Sequence, residues 1–379
     1  MTFINQTYIL PDPWTFVDGR QVRTEADWAC RSFQLRELFQ KYELGYKPPQ
    51  PPIFMSTFSN NSLSIKAGVA QNRVIDFSVP ITYPNNTSVS GTSGPFPAVI
   101  VYDAVSIPIP SQVAVITLNV DEIAQQDSTA SRGIGLFYEL YGNTTTTAGA
   151  LMAWSWAVSR IIDSLEAHPE ANIDTRKLAV TGCSRNGKGA LVAGAFDERI
   201  ALTIPQESGS GGDACWRTSR AMLVNHNLYT QTAWEIVKEN VWFAESFDFF
   251  AQNNYTIGLL PFDHHELAGL VAPRGLYSTE NVEFLWLGDW SNWECMKAAN
   301  KIYQALGVPH FQGFSQDGPH DHCSFPPDQE GEIAAFFDRF LLDKPADTAV
   351  FRTVGNWSYD PSWAPWGVPK LSETTWEKL

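Results

Sequence analysis

Residues 177–196 read KLAVTGCSRNGKGALVAGAF. An apolar run of strand length passes directly into a stretch of small residues with helical character. A strand that turns straight into a helix is the building unit of a parallel sheet covered by helices. Runs of the same kind recur. FPAVIVY (96–102) and VAVITLNV (113–120) are short and continuously apolar, as expected of strands buried on both faces. IALTIPQES (200–208), RGLYSTEN (274–281) and HFQGFS (310–315) are further candidates. Leu151, Trp154, Val158, Ile161, Ile162 and Leu165 fall on one helical stripe, and Ile333, Phe336, Phe337, Phe340 and Leu341 on another. The expected class is α/β, a three-layer sandwich around a mostly parallel sheet.

The N-terminal part reads differently. Residues 1–25 form an extended, proline-containing arm, and 24–45 have helical periodicity with Thr24 as cap. KPPQPP (47–52) ends that helix, and 54–90 alternate as antiparallel strands and turns. With no internal repeat and no disordered linker, one α/β domain over 1–379 is expected.

The formal net charge is −15, the opposite of what a phosphate-binding surface needs, so nucleic acid and anionic membrane are excluded as partners. No apolar run is long enough to span a bilayer. The start, MTFINQTYIL, shows no basic segment leading into an apolar one, so no signal peptide is legible. Glycosylation acceptors nevertheless recur at Asn5, Asn60, Asn85, Asn86, Asn143, Asn254 and Asn356. The expectation is a secreted, extracellular glycoprotein, monomeric, whose signal peptide is absent from this sequence.

Ser184 stands where the strand becomes the helix. There a serine is lifted into the crevice at the carboxyl end of the sheet. Gly182 lies two residues before it, as a nucleophile elbow G-x-S-x-G requires, but the following glycine is Gly187, three residues on instead of two. The alternative is a glycine-rich helix start that binds a phosphate or nothing. If Ser184 is a nucleophile, the N–H of Arg185 and the helix dipole favour negative charge above it, and the Arg185 side chain adds a full charge near a developing oxyanion. Lys188, one turn on, is placed to reach substrate hydroxyls; its plainer reading is a solvated lysine.

A serine nucleophile needs a base, and the base an acid. DGPHDHCSF (317–325) offers His320 and His322. With Asp321 and Cys323 they could ligate a metal, but no second ligand cluster accompanies them, so no metal is expected. His264 and His265 are read as structural. Cys183 precedes the serine and Cys323 follows His322. A bridge between them would hold their Cα atoms within roughly 4.4–6.8 Å and set Ser184 beside His322. Cys215 and Cys295 would then pair, leaving Cys30. Cys183 as a nucleophile in its own right is the competing reading. Glu207 ends the strand after the nucleophile helix and is the first candidate for the acid, with Asp263 and Asp317 as alternatives.

GCSRNGKGA, PQESGSGG, ENVWF, DHHELAGLVAPRGL and HDHCSFP occur in this order between 182 and 326, and the likeness runs from LPDPWTFVDG (10–19) onward over nearly the whole chain. Together they resemble the fungal-type glucuronoyl esterases of carbohydrate esterase family fifteen. The resemblance implies an α/β-hydrolase fold, a Ser–His–Glu triad and no cofactor; family members often carry a cellulose-binding module on a linker, and here a catalytic domain without a carbohydrate-binding module is expected. The implied activity is hydrolysis, through an acyl-enzyme, of esters between 4-O-methyl-glucuronic acid of glucuronoxylan and lignin alcohols. By matching positions it makes Ser184 the nucleophile, His322 the base, Glu207 the acid and Arg185 the oxyanion arginine. Lys188, Gln231, Glu239 and Trp286 match sugar-contacting residues, and the bridges match Cys183–Cys323 and Cys215–Cys295. The family's third bridge pairs the equivalent of Cys30 with a cysteine nearer the N-terminus that this sequence does not contain, so a shortened N-terminus is expected. An acetyl or feruloyl xylan esterase, and a non-catalytic sugar-binding protein on the same fold, are the competing expectations.

Overall fold

The computed structural model describes residues 6–84, 95–144 and 147–372. Asn5, Asn85, Asn86 and the end of the expected 54–90 strand region lie outside the described residues. Among the described residues ten strands make one sheet: β1 (Ile53–Ser59), β2 (Ser62–Ala70), β3 (Arg73–Thr82), β4 (Phe96–Tyr102), β5 (Ala114–Leu118), β6 (Ile173–Cys183), β7 (Ile200–Gln206), β8 (Gly275–Asn281), β9 (Gln312–Asp317) and β10 (Phe351–Thr353). Their order is β1-β2-β3-β5-β4-β6-β7-β8-β9-β10. From β5 to β10 every pairing is parallel. β1, β2 and β3 are antiparallel, and β3 joins the parallel part by running antiparallel to β5.

The apolar runs are continuous because both faces of the parallel strands are covered. Along β4, Ala98, Ile100 and Tyr102 enter the larger core, while Val99 and Val101 enter a second, smaller one. The helices Ala150–Ala167 and Arg185–Phe196 pack together over the first face. The helix Pro327–Phe340 covers the other, sending Ile333, Phe336 and Phe337 against Leu202, Ile204 and Tyr277. At the N-terminal end, Thr24 and Asp27 form a reciprocal capping box that starts the helix Glu25–Phe39. The arm before it is tied down by Thr7 N–H to Gly258 O (2.9 Å) and by burial of Leu10, Trp14 and Phe16.

Among the described residues six helices lie outside the sequence reading: Val120–Ile123, Leu136–Tyr141, Trp216–His226, Ala233–Glu239, His264–Gly269 and Asp289–Ala305. Of these, Ala233–Glu239 reaches the candidate site, where its last residue, Glu239, lines the cavity. Among the described residues no helix is long and apolar enough to cross a membrane.

Candidate active site

Ser184 joins β6 to the helix Arg185–Phe196 with φ +60° and ψ −126°. A serine in this sparsely populated region costs on the order of 1–3 kcal/mol and persists only where the surroundings impose it. Here Ser184 N–H donates to Gln206 O (2.9 Å), pinning the turn to β7. A Cβ on Gly182 would sit 2.7 Å from the Asn186 backbone, and one on Gly187 2.7 Å from Gln206 O. Gly187 therefore marks the point where the helix meets β7. Asn186, which occupies the position of the second motif glycine, instead donates through Nδ2 to Asp103 Oδ2 (2.9 Å). The departure from the usual spacing is thus accommodated locally.

Glu207 follows β7 directly and is 1% exposed. Its own backbone is left-handed, φ +44°, and its N–H donates to Thr279 O (2.6 Å). The strained turn aims its carboxylate at the 318–323 loop. Glu207 Oε2 meets His322 Nδ1 at 2.5 Å, and Oε1 accepts from Cys323 N–H (3.1 Å). A buried carboxylate needs such partners, and these two fix the histidine's orientation. With Nδ1 held by Glu207, the other ring nitrogen, Nε2, is the one available for proton transfer. Phe284 and Trp286 hold the ring edge-on, with centroids at 5.4 and 5.9 Å.

The Cys183–Cys323 bridge, with Cα atoms 5.7 Å apart, staples the elbow to the histidine loop, and Cys215–Cys295 closes the second bridge. Cys30 is free and exposed. Cys183, His322 and Cys323 come within 4.8 Å of one another, but both sulfurs are committed to the S–S bond and offer no thiolate to a metal.

Ser184 and His322 open onto one cavity of about 170 Å³, lined also by Arg185, Lys188, Gln231, Glu239, Trp242, Trp286 and Leu287. All four expected sugar contacts therefore meet the nucleophile and base candidates in one place. Lys188 is no solvated lysine: it is 4% exposed, and its Nζ donates to Ser208 O. Burial lowers its pKa to about 8, against the pull of Glu280 and Glu239. Gln231 Nε2 donates to Glu239 Oε2 (2.6 Å), and Gln231 N–H to Trp286 O (3.1 Å), which ties three lining residues together.

Trp242 and Leu287, which line the cavity, and Gln126, which braces Trp242 from outside it, are absent from the sequence reading. Trp242 lies under both cations, 5.5 Å from the Arg185 guanidinium and 5.6 Å from Lys188 Nζ. Gln126 Oε1 accepts from Trp242 Nε1 (3.1 Å) and from Arg185 Nη1 (3.2 Å), fixing both. The ENVWF string was visible, but nothing in it marks Trp242 as a cavity residue.

The alternatives fall elsewhere. His320 is held through its carbonyl by Asn281 Nδ2 (2.9 Å) and stands 3.9 Å from Glu207 Oε1. Asp263 is fully buried, pairs with Arg217 (3.1 Å) and caps the helix His264–Gly269. Asp317 pairs with Arg352 (2.9 Å). His264 and His265 are fully buried outside the cavity lining, as structural histidines would be.

A family model described as "Glucuronyl esterase, fungi" matches residues 66–307. The chain belongs to the fungal glucuronyl esterase family. It is a carboxylic ester hydrolase on an α/β-hydrolase fold. Among this family, a 4-O-methyl-glucuronoyl methylesterase of Wolfiporia cocos is 51% identical over 374 residues, covering 96% of this chain and 89% of the relative. One from Cerrena unicolor is 48% identical, covering 96% of this chain and 77% of the relative. The glucuronoyl esterase catalytic domain of Hypocrea jecorina superposes with a TM-score of 0.91 at 46% identity, over 98% of this chain and 99% of that one. A serine-to-alanine mutant of the Sporotrichum thermophile glucuronoyl esterase, solved with methyl 4-O-methyl-β-D-glucopyranuronate, superposes with a TM-score of 0.90 at 43% identity. That pair covers 97% of each chain.

Proposed function

We propose that this glucuronyl esterase cleaves the ester linking 4-O-methyl-glucuronic acid of glucuronoxylan to lignin alcohols, with Ser184, His322 and Glu207 as its triad. The carrying observation is the single cavity that joins Ser184 and His322 to Lys188, Gln231, Glu239 and Trp286. A small acyl group such as acetate has no use for four polar and aromatic side chains around the nucleophile. A uronate ring, with hydroxyls along its edge and an apolar face, does.

Ser184 Oγ attacks the uronate carbonyl and its proton passes to His322. Glu207 stabilises the imidazolium that forms. Negative charge develops on the carbonyl oxygen at the N-terminus of the helix Arg185–Phe196, where the Arg185 N–H and guanidinium stabilise it. Collapse expels the alcohol, protonated by His322. Water, deprotonated by the same histidine, then releases the uronate and restores Ser184. Lys188, Gln231 and Glu239 bind hydroxyls of the ring, and Trp286 covers its face.

The enzyme acts as a secreted monomer, and 1–379 is one catalytic domain. Support for secretion comes from the two disulfides and from the acceptor asparagines Asn60, Asn143 and Asn356, all exposed. The test compares hydrolysis of benzyl glucuronate with that of acetylated and feruloylated xylosides. Preference for the glucuronate ester is expected. Activity on acetyl or feruloyl esters alone would overturn the substrate and leave the triad.

A further inference from the structure

Behind Lys188 lie two acids that the reaction does not use. Asp213 is completely buried and Glu280, on β8, is 1% exposed. Glu280 Oε1 accepts from Gly209 N–H (2.9 Å) and Ser208 Oγ (3.2 Å). Among the described residues, its Oε2 and both carboxylate oxygens of Asp213 have no hydrogen-bond partner, and all three are buried. The two acids meet at Ser208 Oγ, which donates to Glu280 and accepts from Asp213 N–H (2.9 Å). Three orphaned acceptor oxygens on neighbouring acids are costly, and a pair of carboxylates has one donor it can supply itself: a proton. Burial and the Asp213 charge push the Glu280 carboxyl well up, while burial raises Asp213 to about 7. Both acids in turn favour the charged form of Lys188, whose Nζ is anchored to Ser208 O between them and the cavity.

We propose that Asp213 and Glu280 hold one proton between them and act as a single counter-charge that keeps the Lys188 ammonium charged in the cavity wall. They are positioning residues, acting on substrate through Lys188, and their role in turnover rests on the reading that Lys188 contacts the uronate. The other charged groups facing this cluster come from every neighbouring element. Arg185 opposes the charge on Lys188 from its own helix, and Glu239 supports it from the end of the helix Ala233–Glu239. Glu207 acts on Glu280 from the turn after β7, and His264 on Asp213 from the helix it begins.

Shared protonation has a signature that independent acids lack. Removing either carboxyl lets the survivor ionise, so the counter-charge stays at one. Only removal of both abolishes it. The Lys188 pKa, followed by NMR of the labelled side chain, is therefore expected to move by less than about half a unit in Asp213→Asn or Glu280→Gln. In the double variant it should fall by about one unit or more. A stepwise fall, each single substitution taking its share, would overturn the proposal, as would a double variant whose lysine does not move. Should the double variant not fold, infrared difference spectra of the single variants at pH 7 decide. Each must lose one protonated-carboxyl stretch relative to the parent, and persistence of that band in both overturns the pairing. The alkaline limb of kcat/KM on a glucuronate ester is expected to follow the lysine. If the lysine shifts and the limb does not, the proton sharing stands and it is the assignment of Lys188 to the substrate that falls.

Discussion

Two glutamate–histidine contacts in this molecule are nearly the same length and have opposite uses. Glu207 meets His322 at 2.5 Å and Glu43 meets His264 at 2.7 Å, and both glutamates are at most 1% exposed. The difference lies in the histidine's other nitrogen. His264 is sealed between Phe39 and Trp216, and its second nitrogen is taken by Gly212 O (2.7 Å). Burial raises Glu43, and for His264 the Glu43 charge and hydrogen bond outweigh burial and raise it, so this pair settles its proton internally and opens onto no reactant site. The His322 side chain is 28% exposed and faces the cavity that Ser184 also lines. A buried acid beside a histidine is therefore not a catalytic signature. The histidine must also keep a nitrogen aimed at a place where a reactant fits.

The comparison can be broken in several ways. Ser184→Ala has the largest expected effect, a loss of kcat on the order of 10⁴–10⁶-fold with no loss of folding. Next is the exchange of the two acids. Glu207→Gln should lower kcat by about 10³–10⁴-fold because it removes the partner that orients His322. Glu43→Gln should leave kcat per folded molecule within a few-fold and instead cost about 1–3 kcal/mol in denaturant unfolding. Equal kinetic losses in the two variants would erase the distinction.

The bridges sharpen it further. Replacing both Cys183 and Cys323 by Ala should cost about 2–5 kcal/mol of stability and also depress kcat, since that bridge staples the histidine loop to the elbow. Replacing both Cys215 and Cys295 should cost similar stability and leave kcat alone, because that bridge joins the N-cap of Trp216–His226 to the body of Asp289–Ala305, outside the cavity lining.

The mildest effect belongs to the sealed side. Burial lowers His265 to about 4, against an ordinary value of 6.5. The folded chain keeps this ring neutral while the unfolded chain protonates it below pH 6.5. Stability is then lost as pH falls from 6.5 towards 4, by up to about 3 kcal/mol. His265→Gln should flatten that part of a stability–pH curve, and an unchanged slope would show that another group sets it.

What was legible in the sequence follows from the same physics. The parallel strands announced themselves because both faces are buried, which forces continuous apolar runs. The triad candidates were legible because the elbow, the cysteine neighbours and the strand-end glutamate are local features. The helix Trp216–His226 was not, because its buried face carries Arg217, Thr218, Ser219 and Arg220, satisfied by tertiary hydrogen bonds instead of apolar contact. Asp289–Ala305 hides in the same way, burying Asp289, Ser291, Asn292 and Glu294 among its apolar residues. Trp242, Gln126, Asp213 and Glu280 reach the site only through folding, and no spacing in the chain connects them to Ser184. Lys188 was visible, but its burial was not. The pattern that put it on the helix face could not say that the wall of Trp242 and Ser208 closes over it.

The most direct test is to quench the reaction with an activated glucuronate ester on the millisecond scale, reduce the disulfides and map the adduct by mass spectrometry. A glucuronoyl increment on the peptide containing Ser184, absent from Ser184→Ala, is the expected result. An adduct on another residue, or rapid turnover by Ser184→Ala, would contradict the account.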